Sequence, residues 1–109
     1  MIYMTFPTPL PVNRAIQKLG ADLSRARRRR RVSRASLAER SGVSESTVKR
    51  LESGDGRVAL ESLARVMHVL GLTDRLEQLL DAAVDEVGLV LMDEQLPKRV
   101  RSRRSSGAL

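Results

Sequence analysis

Ser41-Gly42-Val43-Ser44 narrows the folds open to this chain more than any other stretch. Glycine can take the left-handed conformation that ends a helix, and serine is a strong N-cap. Gly42 therefore stops a helix over "RASLAERS", and Ser44 starts another only two residues later. Ser33 is placed to cap the first of these, with Leu37 and Ala38 facing inward. The second runs through "ESTVKRLES" to Gly54, and "GDG" then marks a turn. At roughly 100° per residue, Val48 and Leu51 define its buried side, while Ser46, Lys49, Arg50 and Ser53 point away. Glu45 and Thr47 lie on the flanks, and Glu52 turns partly back toward the core.

What surrounds this pair must also be helical. The only aromatic residues are Tyr3 and Phe6, so the core is built from Leu, Val, Ile, Ala and Met, a palette that favours helix on helix. A first helix is predicted from Asn13 as its N-cap, with Ile16, Leu19, Leu23 and Ala26 inward. A fourth carries Leu60, Leu63, Ala64, Met67 and Leu70 on one stripe and ends at Gly71. A fifth begins at Thr73 as cap, with Leu76, Leu79, Leu80 and Ala83 inward. Val84, Val87, Gly88 and Leu91 continue a helical period, although "VGLVLM" also suits a strand. The organisation expected is a proline-rich arm over 1–12, a helical domain over 13–83, a dimerisation or partner segment over 84–96, and a basic disordered tail over 97–109.

Charge separates the two ends of the chain. The net charge of +7 gathers in Arg25, Arg27 to Arg31 and Arg34, and again in Lys98, Arg99, Arg101, Arg103 and Arg104. Between Asp74 and Glu94 lie seven acids against Arg75 alone, which suggests two partner surfaces. With no cysteine there are no disulfides and no thiolate chemistry, which fits a reducing cytoplasm. "MIYMTFPTPLPV" lacks a basic leader and is broken by prolines, so it is read as neither signal peptide nor membrane span. No paired carboxylates, phosphate-binding glycine loop or metal-ligand spacing stands out, His68 reads as an ordinary helix residue, and neither enzyme activity nor a cofactor is expected.

The exposed row on the helix after Ser44 offers short hydroxyls and cations without bulky obstruction, which suits a major groove lined with acceptors such as guanine O6 and N7. Around it, "LGADLSRARRRRRVSRASLAERSGVSESTVKRLESG" resembles the lambda-repressor-like, Xre-type helix-turn-helix family, from Leu19 to Leu72. The resemblance implies an all-α, five-helix DNA-binding domain, here with the extra C-terminal segment and tail. It also implies a homodimer on a palindromic operator in double-stranded DNA, and a recognition helix at Glu45 to Ser53. Carried onto this chain, DNA contacts fall at Ser33, Arg34, Ser44, Glu45, Ser46, Thr47, Lys49 and Arg50. Arg34 stands where the family often has a phosphate-binding glutamine, and Arg27 and Glu52 match a structural ion pair that holds the recognition helix. Ala59 departs from the usual Ser or Thr cap, and Arg28 to Arg31 exceed the usual cations, serving either phosphate contact or solvation.

A finer resemblance joins "GRVALESLARVMHVLGL" and "EQLPKRVRSRR" to HipB-type antitoxins, which repress their own operon and bind a HipA-like kinase toxin. The alternatives are a stand-alone regulator and a protein-interaction module on the same scaffold. Lys49 and Arg50 on the exposed row speak against the module, and the lack of aromatic stacking platforms speaks against RNA.

Overall fold

Helix formation begins earlier than the sequence predicts. The computed structural model describes residues 6–82 and 87–97. Its first helix, α1, spans Leu10–Arg29, so Asn13 lies inside it and Pro9 occupies the N-cap. Pro11 falls in the first turn, where no backbone N–H is needed and a fixed φ favours the helix, so a residue that reads as a breaker acts as a starter. Part of the expected arm is therefore helical.

The next two helices follow local chemistry. α2 covers Arg34–Ser41, with the Ser36 N–H donating to Ser33 Oγ at 3.0 Å. α3 covers Glu45–Glu52, with the Thr47 N–H donating to Ser44 Oγ at 3.1 Å. Gly42 joins them at φ 77°, the left-handed conformation that the short Gly42-Val43-Ser44 link requires. α4 spans Leu60–Val69 behind an Ala59 cap that makes no side-chain bond, and α5 spans only Thr73–Glu77. No β-strand occurs among the described residues.

The chain divides after Leu76 into two units. In the first, α2 packs on α3 and α4, and α1 packs on α3. Their shared core is Leu23, Leu37, Ala38, Val48, Val66 and Leu70. Val66, fully buried, was not on the predicted stripe, whereas Leu60 is 70% exposed and Leu19 is 44% exposed. The inward line of α4 is Leu63, Val66 and Leu70, because its first turn overhangs the core. Leu19 and Leu60 instead border a shallow apolar cleft with Ile16, Leu51, Val58 and Leu63.

Expectations for the fifth helix also change. Thr73 is its first helical residue rather than its cap, and Leu79 and Leu80 are exposed beyond its end. A helix this short takes its stability from packing, and only Thr73 and Leu76 are even partly covered. In the second unit, α6 spans Val87–Glu94, a helix where a strand was also open. Leu91, Met92 and Leu96 are exposed there. The inward position of Ala83, the period through Val84 and the disorder of the tail beyond Pro97 concern residues outside those described.

Two backbone features limit substitution. A Cβ on Gly20 of α1 would meet Leu51 O at 2.5 Å, Glu52 O at 2.8 Å and Gly54 N at 2.9 Å, all backbone atoms at the end of α3. Arg31 closes α1 at φ 55°, with the Arg31 N–H on Arg28 O and the Val32 N–H on Arg27 O, the helix ending for which glycine is the usual residue. Gly20→Ala should lower stability by about 2 kcal/mol or more, since the clash is with backbone that cannot rotate away. Arg31→Gly should raise it by about 0.5–1 kcal/mol, because relief of left-handed strain exceeds the added entropy of the unfolded chain. Thermal melts followed by the helical circular dichroism band test both signs.

Candidate nucleic-acid interface

The end of α3 is held by charge. Glu52, its last residue, keeps a side chain only 3% exposed. Arg27 of α1 donates to it from Nε at 2.6 Å and Nη2 at 3.1 Å, and its Nη1 donates to Val32 O at 2.9 Å. Arg34, at the start of α2, donates from Nε to Glu52 Oε1 at 3.0 Å. One carboxylate thus ties α1, α2 and α3 together, with a net charge of one arginine left over. Burial pushes the Glu52 carboxyl up, but the hydrogen bonds and charges of Arg27 and Arg34 outweigh it and hold it below its ordinary value.

The row on α3 emerges from this support. Glu45, Ser46, Lys49 and Arg50 are exposed, and Val48 on the opposite side is fully buried. Lys49 has no hydrogen-bond or ion-pair partner among the described residues. Ser44 and Thr47 differ from it, because their hydroxyls lie 2.8 Å apart and Ser44 Oγ also caps the helix. Ser46 Oγ joins this cluster at 3.2 Å. Ser33 is likewise engaged as the cap of α2. The three cap-side hydroxyls of Ser33, Ser44 and Thr47 therefore set helix starts first.

Arg50 has a partner that sequence reading missed. Its Nε donates to Asp55 Oδ2 at 2.8 Å, across the turn that ends α3. The turn itself builds this contact: Gly54 adopts φ 83°, and the Asp55 N–H returns to Arg50 O at 3.0 Å. Arg57 closes the group from the other side, donating its N–H to Asp55 Oδ1 at 2.9 Å and its Nε to the same oxygen at 3.3 Å. A five-residue separation across a turn has no helical or strand period, so the only signal was an acid in "GDG" close behind an arginine. Among the described residues there is no cluster of metal-binding side chains, and no helix is long and apolar enough to cross a membrane.

Two capped helices at a left-handed glycine, the second presenting a polar row, make a helix-turn-helix. A sequence-family profile described as a helix-turn-helix domain matches residues 18–80, more than half of the chain. The chain belongs to that family. Among solved structures, the chain is similar to the clp gene regulator ClgR from Corynebacterium glutamicum. The two share 35% identity over 81% of this chain and 97% of that one, at a TM-score of 0.50. No curated protein matches significantly.

The support of this helix-turn-helix is pH-dependent. Glu52 is depressed in the folded state, so its contribution is fully present above the unfolded carboxyl value of about 4.3 and is lost as pH falls through the lower folded value. Glu52→Gln should cost about 3 kcal/mol at neutral pH, since Arg27 is left buried without its counter-charge. It should also flatten the loss of stability below pH ~4. Melting curves across pH compare the two acid limbs, and parallel limbs would remove Glu52 from this role.

Proposed function

We propose that the protein is a DNA-binding transcriptional regulator that places α3 in the major groove. The observation that carries this reading is the exposed row of Glu45, Ser46, Lys49 and Arg50 on a helix whose other face is anchored by Val48 and Glu52. Family membership and the likeness to a gene regulator support it. Lys49 and Arg50 suit guanine O6 and N7, and Glu45 suits the cytosine N4 donor. Ser33, Ser44 and Thr47, at the two helix starts, face the flanking phosphates in this reading.

Arg34 has a different task. Its Nε is fixed by Glu52 while the side chain stays 44% exposed, which suits a phosphate contact through its remaining N–H groups. The protein acts in this proposal as a Xre-type repressor, dimeric on a palindromic site, since one recognition helix spans too few bases to single out an address. Half-site centres then lie about 34–36 Å apart. The HipB-type reading, with a HipA-like kinase as partner, rests on Gly56–Leu72 and on the Glu94–Arg104 stretch, much of which lies outside the described residues. Co-purification with the product of a neighbouring kinase-like gene tests it.

Binding titrations over a salt series separate the roles. Lys49→Ala should weaken a selected duplex by about 1–3 kcal/mol and relax one base position, leaving unselected duplexes little changed. Arg34→Ala should weaken all duplexes alike and reduce the salt slope by about one unit. It should keep the fold, because Glu52 retains both bonds from Arg27. Identical behaviour of the two variants would refute the assignment.

A further inference from the structure

A carboxylate beside the recognition row needs a reason, because it repels the phosphates that the surrounding arginines attract. Asp55 is such a group. Its side chain is 18% exposed and takes Arg50 on one oxygen and Arg57 on the other. The Arg57 N–H, then Arg50 and the Arg57 side chain, hold its carboxyl far below the usual carboxylate range. Asp55 is therefore a carboxylate at neutral pH, paired with both arginines.

The atoms used distinguish a positioned arginine from a sequestered one. Arg27 is fully engaged: Nε and Nη2 go to Glu52, and Nη1 goes to Val32 O. Arg50 gives Asp55 only its Nε, in a single bond. The end-on pair, Nη1 and Nη2, stays available on a side chain that is 49% exposed. That pair is the fork whose spacing matches guanine O6 and N7. A fork fixed before binding also loses less side-chain entropy when it docks. The neighbouring Lys49, without a partner among the described residues, is by contrast a point charge on a flexible stem.

We propose that Asp55 is a specificity-determining positioning residue, which holds the Nη1/Nη2 fork of Arg50 for a guanine in the major groove. This rests on α3 being the recognition helix. Asp55 touches no base itself. It acts through Arg50, and the same carboxylate is locked by the Arg57 N–H, so the orientation of the fork is referred back to the turn at Gly54. Discrimination at one base pair of each half-site follows from an acid that lowers affinity for DNA in general.

The test is selection by the full chain from a duplex library with a randomised centre, for wild type, Asp55→Asn, Arg50→Ala and the double variant. Asparagine keeps an acceptor for the Arg57 N–H but loses the charge, and Asp55→Ser is the second variant should Asp55→Asn melt early. The wild type should select guanine at a position that Arg50→Ala abolishes. Asp55→Asn should reduce that preference roughly tenfold. It should leave affinity for unselected duplex equal or higher, and the double variant should lose no more guanine preference than Arg50→Ala alone. Guanine preference kept in Asp55→Asn, or selected and unselected duplexes strengthened alike, would overturn the role of Asp55 and leave DNA reading by α3 in place. A wild type that selects no sequence at all would overturn both.

Discussion

Glu52 places one negative charge between two arginines that belong to two other helices, and this sets where α3 can lie. The hydrophobic core beneath it is small: among the described residues, six buried aliphatic side chains with no ring among them. Aliphatic packing of this kind tolerates sliding and repacking, since it is non-directional. The carboxylate is directional. Its two oxygens are assigned, one to Arg27 alone and one shared by Arg27 and Arg34, so α3 cannot turn about its own axis without stranding a buried charge. The close approach of Gly20 to Leu51 O and Glu52 O fixes the same end in translation.

The legible parts of the fold are those decided within a few residues. Ser33, Gly42 and Ser44 act through capping and left-handed backbone, which depend on residue type at a fixed offset, and both short helices begin where the capping rules put them. Harder to read was anything decided by what lies opposite. Pro11 breaks a helix in most positions and starts one here. Leu60 shares a helical stripe with Leu63 yet is exposed, and Leu79 and Leu80 have the right spacing yet stay exposed too. On the interface, periodicity identified the row through Ser46, Lys49 and Arg50. It had no means of pairing Arg50 with Asp55, because that contact runs across a turn.

The arginines sort by how many of their N–H groups the fold already uses. Arg27 is committed to the protein and works as a fastening. Arg34 and Arg50 are each held by Nε and keep their outer groups exposed, while Arg57 lies almost entirely in solvent. A formal charge of +7 thus says little about how this surface meets a partner. The count of engaged donors says more, since it separates cations that supply attraction from those that supply geometry.

In the proposed complex with DNA, α3, clamped at its far end by a buried carboxylate and by backbone packed on Gly20, has little freedom to tilt toward a poorly fitting site. Adjustment of the fit then falls to the duplex, which must widen, twist or bend to meet the helix, at an energy that depends on the stiffness of its base steps. On that proposal, the rigidity of one helix end in the protein becomes a preference for pliable sequence in the DNA, including at base pairs that no side chain reaches.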